Sequence, residues 1–318
     1  MFSYIGKRLV ALLPTALVPV IAVFLLIRLA PGDPAAQILG DQATPEQVAA
    51  LRHELGLDAP LITQFGVFLK DLVTLNLGDS LFLHQPVRDL VPSYGAVTLE
   101  IGLLSLIFST ILGVGVGALA AFRRRHLSGR IASVLGMISI SIPQFWFGLL
   151  LVVLFAVQLR VFPVSGYRPW SDGAGPHLQS IVLPALTLAL AQLGLVSRMV
   201  STSILDVVNE PFVRTATSLG VRPRRIRTRY VMRVASVEIL TIMGLLLATI
   251  LSGTVVVENI FAIPGLGRLL FDAVGRRDYD VIQGVVLFVG LFIIVVNLLV
   301  DLLYALVDPR VKYGKATT

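Results

Sequence analysis

Three polar residues stand inside long apolar stretches of the sequence, where such side chains cost free energy and usually have a function. They are Glu100, Asn297 and Asp301. Asn297 and Asp301 share one helix face at the spacing i, i+4, and a carboxylate there could carry a proton or pair with an arginine. Asp301 lies only about two helical turns from a basic C-terminal tail, so structural pairing is at least as well supported. The sequence shows no run of buried carboxylates that would form a proton relay.

The motifs that would make the chain an enzyme are missing from the sequence. It has no G-x-x-x-x-G-K-[ST] phosphate-binding loop, no H-E-x-x-H zinc motif and no G-x-S-x-G nucleophile motif. It has no cysteine, and its four histidines show no metal-ligand spacing. We therefore predict that the chain is not an enzyme, hydrolyses no nucleotide itself and binds no metal.

The stretch from Glu210 to Gly220 predicts a short helix. Pro211 suits a first helical turn, and Gly220 followed by Pro223 ends the helix. The apolar residues recur on one face and are Phe212, Ala216 and Leu219, with Val213 beside them. A helix of about nine residues is unstable alone in water, and we expect no core of this chain to cover that face. It could fill a groove on another protein or lie flat among lipid headgroups.

The composition places the chain among proteins with several membrane-spanning segments. Of its 318 residues, 56% are hydrophobic and 14% are charged. The apolar runs that can cross a bilayer cover roughly residues 9–29, 94–122, 131–159, 181–196, 239–257 and 281–307. The first run is too long for a signal peptide and is interpreted as a retained span. We predict an all-α integral membrane protein with six transmembrane helices.

The distribution of basic residues predicts the orientation of these spans. The net charge is +7, and 17 of the 26 lysines and arginines fall on one side if both termini share that side. Eight of these are arginines between Arg198 and Arg233. Because basic residues collect on the cytoplasmic side, both termini and the loop 198–235 are predicted to be cytoplasmic.

A polar segment between the first two spans predicts a small external subdomain over residues 31–93. Its charges are mostly acidic, with a net of −5 between Pro31 and Val91. Thr44 and Gln47 form a capping-box pattern at a helix start, and Gly56 is the matching stop. A second helix is predicted from about Pro60 to Asn76. The remaining divisions are residues 1–30, with the first span, and 94–318, with the other five.

Short motifs follow one another in order along almost the whole chain. At the central loop stands Phe212-Val-Arg-Thr-Ala216, followed by Gly220. The others are Pro31-Gly-Asp-Pro34, Leu55-Gly-Leu-Asp-Ala-Pro60, Leu77-Gly-Asp-Ser80, Phe162-Pro-Val-Ser-Gly-Tyr167, Leu183-Pro-Ala-Leu186, Glu258-Asn-Ile-Phe-Ala-Ile-Pro-Gly-Leu-Gly267, Arg277-Asp-Tyr279, Asn297-Leu-Leu-Val-Asp301 and Asp308-Pro-Arg310. Each is weak alone, but the ordered series resembles ATP-binding-cassette importer permeases of the dipeptide, oligopeptide and nickel family.

The resemblance implies a permease subunit of the type with a long external segment after its first span, in a bacterial or archaeal cytoplasmic membrane. Such a subunit pairs with a second, homologous permease and with two ATPase subunits, which bind the ATP and Mg²⁺. An extracytoplasmic binding protein delivers the peptide, and this chain holds no cofactor. The implied ATPase-coupling residues are Glu210, Phe212, Val213, Arg214, Thr215, Ala216, Leu219 and Gly220. The implied candidates for binding-protein contact are Glu258, Arg277, Asp278 and Tyr279, with Glu258 expected to face water at the outer surface.

Three positions depart from the family pattern, and other functions stay open. Pro211-Phe212 replaces the usual Asp-Tyr, while Glu238 and Asp280 stand where prolines are usual. The same machinery could import nickel, glutathione or another small solute. An ion-coupled secondary transporter would need internal repeats and ion ligands at mid-membrane, and the sequence supplies neither convincingly. A membrane scaffold that anchors a cytoplasmic partner is the third alternative.

Overall fold

The computed structural model describes residues 14–25, 28, 34–39, 43–54 and 56–307, and its regular elements there are helices. The α-helices are α1 (Pro14–Leu25), α2 (Pro34–Leu39), α3 (Pro45–Glu54), α4 (Leu61–Val73), α5 (Val87–Phe122), α6 (Leu127–Ser141), α7 (Gln144–Leu151), α8 (Ala174–Val208), α9 (Pro211–Ser218), α10 (Pro223–Arg225), α11 (Met232–Ile260), α12 (Leu266–Arg276) and α13 (Tyr279–Val307). Val152–Gln158 and Ile226–Val231 are π-helical, and Trp170–Asp172 is a 3₁₀ turn. The all-α prediction is confirmed.

Four described helical segments are long and apolar enough to cross a membrane, and a bent pair is a fifth if its two halves form one span. The four are Val87–Phe122, Ala174–Val208, Pro223–Leu247 and Tyr279–Val300, and the pair is α6 with α7 and its π-helical extension. The predicted first span falls partly outside the described residues, and what is described of it is the shorter apolar helix α1. The count of six spans therefore stays a prediction.

The predicted third span is broken in its middle. Its two halves, Leu127–Ser141 and Gln144–Gln158, are bent by 107°. Pro143 causes the break because proline lacks an N–H group and forces the preceding residue out of the helical region. Ile142 is accordingly extended, with φ −88° and ψ 126°. A continuous span from 131 to 159 was the wrong prediction here.

The chain divides into two compact units, and the first contains residues 1–95 and 269–294. Its described core joins Val20, Val23 and Phe24 of α1 to Phe68 of α4 and Leu287 of α13. The rings of Phe24 and Phe65 pack edge to face at 5.0 Å. Aromatic pairs of this kind add to the hydrophobic contribution of burial, so α4 is held on α1 by specific contacts.

The helix ends of this unit follow the capping chemistry read from the sequence. Gln47 Oε1 accepts a hydrogen bond from Thr44 N at 2.9 Å, and the reciprocal bond measures 3.4 Å. Gly56 has φ +65°, the left-handed conformation that favours glycine. The predicted capping box is thus confirmed, whereas the external position of this segment stays a prediction.

The second unit contains residues 96–268 and 295–318. One of its cores joins the end of α8 to α9 and the start of α11, and another joins α5, α8 and the end of α11. Glycines of α5 pack against α8, where a Cβ on Gly117 would lie 2.6 Å from Ser197 O. Gly113 meets Val196 in the same way, whereas Gly115 faces open space. Small residues thus let the two helices approach closely.

Candidate functional site

Helix α9 has the local structure that its sequence predicts. Glu210 precedes it with an extended backbone, Pro211 occupies its first turn, and Val213 N donates to Glu210 O at 3.1 Å. At its end, Gly220 N bonds Thr217 O at 3.0 Å and Val221 N bonds Ala216 O at 3.1 Å. This pair of bonds is the Schellman motif, which needs a left-handed residue after the helix. Gly220 supplies it with φ +72°.

The apolar residues of α9 and its C-cap differ in burial. Val213 and Ala216 are buried, at 6% exposure each, in a core that includes Ile226 and Val231. Phe212 is 39% exposed and Leu219 is 77% exposed. The expectation that no core of this chain covers the helix was wrong for Val213 and Ala216, because the π-helical segment Ile226–Val231 packs with them in one core. Phe212 and the C-cap residue Leu219, seven residues apart on one side of the helix, are the large apolar side chains that it leaves exposed to a partner.

Charge surrounds the exposed face of α9. Glu210, Arg214 and Thr215 are exposed, and the Thr215 hydroxyl donates to Pro211 O at 3.1 Å. The exposed arginines that follow are Arg222, Arg224, Arg225, Arg227 and Arg229. Arg198 and Arg233 lie within α8 and α11, so the predicted loop 198–235 is mostly helix. The surface around Phe212 and Leu219 is therefore basic and would suit an acidic partner surface.

Glu258 is fully buried, which overturns the expectation that it faces water. Thr98 Oγ1 donates to its Oε1 at 2.7 Å, and Arg268 N donates to its Oε2 at 3.0 Å. Thr98 Oγ1 in turn accepts from Leu266 N at 2.8 Å. The carboxylate and the hydroxyl together satisfy free N–H groups in the first turn of α12, as helix capping requires. Glu258 is therefore a buried residue that caps the start of α12, and it is not a surface residue.

The glycines of the 258–267 motif let this carboxylate approach. A Cβ on Gly265 would overlap the Glu258 carboxyl group, and one on Gly267 would lie 2.8 Å from Val255 Cγ2. Contacts this short force neighbouring atoms to move, and here the neighbour is a hydrogen-bonded, buried side chain. The motif therefore encodes a tight turn closed around Glu258.

Asp278 is also buried, in the first unit. Ser80 Oγ donates to Asp278 Oδ2 at 2.7 Å, and Val281 N donates to Oδ1 at 3.4 Å at the start of α13. Arg277 is exposed with φ +57°, and Tyr279 is half-buried. Among the four candidates for binding-protein contact, Arg277 and Tyr279 are the ones that present surface.

The three polar residues of the apolar stretches have different surroundings. Asn297 is exposed on α13, whereas the side chain of Asp301 and the basic tail after Val307 lie outside the described residues. Glu100 belongs to a hydrogen-bond network that sequence reasoning missed: its Oε1 lies 2.8 Å from Trp170 Nε1 and 2.8 Å from His177 Nε2. The partners are 70 and 77 residues away, so no local pattern could have predicted the network.

Proton positions in this network follow from its geometry. His177 Nδ1 lies 2.7 Å from Arg168 O, which can only accept, so Nδ1 carries a proton. A second proton must then lie between Nε2 and Glu100, either as an imidazolium–carboxylate pair or as two neutral groups. Both forms leave the pair, of which His177 is buried and Glu100 is half-buried, with no net charge. Trp170 stacks on the His177 ring at 4.0 Å, and Trp170 as a whole is 57% exposed.

Tyr167 completes the network, with its hydroxyl 3.3 Å from Glu100 Oε2. Its pKa is raised by burial first, then by the charge of Glu100 and by the hydrogen bond to it. Raising the pKa keeps the phenol protonated, so it remains a donor to the carboxylate. Among the described residues, no group of three His, Cys, Asp or Glu side chains could hold a metal ion.

Family models match nearly the whole chain. Residues 113–313 match the binding-protein-dependent transport system inner membrane component, and residues 1–81 match the N-terminal region of membrane components of such systems. A Brucella abortus protein named as a peptide transport system permease is 41% identical over 98% of this chain and 100% of its own length. A glutathione transport system permease of Salmonella choleraesuis is 37% identical with the same two coverages.

Solved structures share the fold. A membrane subunit from inward-facing crystals of the MetNI methionine ABC transporter superposes with a TM-score of 0.57. It covers 70% of this chain and 98% of its own, at 18% identity. An amino acid ABC transporter crystallised with histidines gives a TM-score of 0.51 at 16% identity, covering 68% and 93%. At these identities the likeness concerns the fold alone.

Proposed function

Because the chain belongs to the family of binding-protein-dependent transport system inner membrane components, we propose that it is a membrane-spanning subunit of an ATP-driven importer of peptides. In this proposal it crosses the cytoplasmic membrane six times with both termini inside. It pairs with a second permease, two ATPase subunits and an extracytoplasmic binding protein. It forms the path of the peptide and leaves ATP hydrolysis to its partners.

One observation supports the coupling role of α9 above the others. The helix is fixed on its own chain through Val213 and Ala216 and leaves Phe212 and its C-cap residue Leu219 exposed. A helix without tertiary contacts would move independently when a partner displaces it. A helix packed on a core transmits that displacement to the core. We assign Phe212 and Leu219, with Arg214, Thr215 and Glu210 around them, to contact with an ATPase subunit. Val213, Ala216 and Gly220 hold the helix in place.

The test removes the exposed apolar face and leaves the buried one intact. The double variant Phe212→Ser with Leu219→Ser is coexpressed with the neighbouring subunits, purified in mild detergent and reconstituted. We expect the ATPase subunits to be lost or peptide-stimulated ATP turnover to fall about tenfold or more, as for loss of central apolar contacts. The matched control is Leu127→Ser, a leucine 74% exposed in the segment after Arg123–Arg125.

Two results would contradict the proposal. If the double variant retains the ATPase subunits and full stimulated turnover, α9 is not the contact. If the purified chain works without any ATPase and takes up solute with an ion gradient, the importer function itself is wrong. Reduced turnover in the leucine control as well would mean that any loss of apolar surface disturbs the complex.

A glutathione importer is the second candidate, since a relative named as a glutathione transport system permease is 37% identical along its whole length. Glutathione is itself a small peptide, so the two functions require similar sites. Uptake by the reconstituted complex, measured with labelled dipeptides, longer peptides and glutathione in mutual competition, separates them. Preferred uptake of glutathione over all other peptides would replace the first candidate by the second.

A further inference from the structure

A cavity of about 380 Å³ opens beside α9 in the second unit. Its floor is apolar and includes the buried side chains of Ala121, Val213, Ile226 and Val231. Ala121 lies at the end of α5, Val213 lies in α9, and the other two lie in the π-helical segment before α11. A pocket with such a floor favours an apolar group over water or a small hydrophilic solute.

The rim of this cavity is cationic. Arg124, Arg125 and Arg227 line it and are exposed, and the Arg227 guanidinium lies 5.8 Å from the centre of the Phe122 ring. All of its lining residues are described, and none of them is an aspartate or a glutamate. The positive charge at the mouth is therefore not neutralised from within the cavity, and an anion would be attracted there.

The cavity lies where two long apolar helices end. Phe122 is the last residue of α5 and Val208 the last of α8, and both line the cavity. Polar lipid headgroups meet a membrane protein at this level, with the acyl chains extending along the apolar helices.

We propose that this cavity binds an anionic phospholipid, with part of an acyl chain on the apolar floor and the phosphate on Arg124, Arg125 and Arg227. A free phosphate ion would satisfy the arginines but leave the floor empty. A neutral lipid would fill the floor but lack the net charge that favours a cationic rim. The combination of floor and rim selects a ligand that carries both features.

Binding at this position would also brace α9. Val213 and Thr217 of α9 form part of the cavity wall, opposite residues from α5 and α8. An acyl chain in the cavity would fill the space behind the helix and restrict its movement toward that space. The consequence for transport rests on the proposed function of α9, whereas the lipid site itself does not.

The experiment measures lipid retention on the full-length chain by native mass spectrometry, whether or not other subunits copurify. The detergent-purified protein is delipidated and then offered phosphatidylglycerol or phosphatidylcholine with identical acyl chains. We expect one phosphatidylglycerol to be retained in preference to phosphatidylcholine. The variant Arg124→Gln with Arg227→Gln should retain about tenfold less phosphatidylglycerol, because two cationic contacts are lost.

A charge-matched control and a cavity-filling variant test the position of the site. Arg222→Gln with Arg229→Gln removes two exposed arginines that do not line the cavity, and retention should stay at the wild-type level. Val208→Phe keeps every arginine but places a larger apolar side chain in the cavity, and it should lower retention like the rim variant. Size-exclusion chromatography of each variant verifies that the chain is folded.

Three outcomes would overturn the proposal. If the rim variant and its arginine control retain equal amounts of phosphatidylglycerol, the lipid is attracted to the basic surface in general and not to this cavity. Equal retention of the two lipids would remove the role of the arginines. Displacement of the lipid by excess inorganic phosphate would identify a phosphate site without an acyl-chain component.

Discussion

Thr98 and Glu258, which are 160 residues apart, are joined by a hydrogen bond of 2.7 Å from the threonine hydroxyl to the carboxylate. Both side chains are fully buried, and both also accept hydrogen bonds from backbone N–H groups in the first turn of α12. The pair therefore fixes three segments of the second unit to one another. It explains why a carboxylate is kept in an otherwise apolar core, since buried charges persist where donors surround them.

Thr98→Val should destabilise the protein without changing its shape. Valine matches threonine in volume but cannot donate to Glu258 or accept from Leu266, so a buried carboxylate and an N–H group lose a partner. We expect a loss of about 1–3 kcal/mol, measured as a lower thermal midpoint of the detergent-solubilised protein. Thr202→Val is the control, because that exposed hydroxyl bonds only Arg198 O of its own helix. Equal midpoints for the two variants would show that the buried pair contributes nothing.

Gly265→Ala should also destabilise, by a steric route. The added methyl group would overlap the Glu258 carboxyl group, and overpacking of a filled core costs about 1–3 kcal/mol. Gly275→Ala adds the same methyl group within α12, where nothing lies within 4 Å. That control should be neutral or gain up to about 1 kcal/mol from helix propensity. Thermal midpoints that fall alike in both variants would contradict the steric explanation.

Gly220→Val should uncouple transport while leaving membrane insertion intact. No atom lies near a Cβ at this position, so the cost comes from the left-handed backbone, about 1–2 kcal/mol for a residue with a side chain. The end of α9 would then shift, and peptide-stimulated ATPase turnover would fall. Gly66→Val, in the middle of α4 with ordinary φ and open space, is the control. Unchanged stimulated turnover in the Gly220 variant would remove this residue from the mechanism.

The Tyr167 network predicts a pH effect on stability. The pKa of Tyr167 is raised above its usual 10.0 in the folded protein, so the unfolded chain loses this proton first as the pH rises. The stabilisation it brings is full below pH 10 and is lost as the pH rises through the folded-state pKa. Tyr167→Phe should therefore lose less stability above pH 10 than the wild-type protein does. The measurement compares thermal midpoints of the two proteins at neutral and alkaline pH.

A second variant separates the causes of that shift. Glu100→Gln removes the carboxylate charge that raises the pKa of Tyr167, and the phenol should then titrate at a lower pH. Ultraviolet difference titration of this variant against its Tyr167→Phe counterpart isolates the one tyrosine. An unchanged titration would mean that burial alone sets the pKa.

The sequence predicted structure best where the deciding contacts are local. The ends of α9 and the capping box of α3 depend on residues within five positions of each other, so their chemistry is visible in order along the chain. Pro143 carried a local signal as well, but the apolar run across it concealed the break.

Long-range contacts explain the errors at the candidate sites. Glu258 ends an apolar run and precedes a turn of small residues, a pattern typical of a surface position. It is buried because Thr98, from another helix, packs against it. The buried side of α9 depends on Ile226 and Val231. Their packing against α9 is a tertiary contact that the local sequence pattern does not reveal. The His177–Glu100 pair spans 77 residues and had no signal in one sequence.

The helix that continues from Pro223 through α11 to Ile260 has a mechanical consequence. At 1.5 Å per residue it is roughly 57 Å long, its base carries α9 through Ile226 and Val231, and its far end holds Glu258. A force applied at Phe212 or Leu219 would therefore act on one end of a long lever whose other end is hydrogen-bonded in place. The π-helical segment at the base, Ile226–Val231, is where the regular hydrogen-bond pattern is interrupted, and bending would concentrate there.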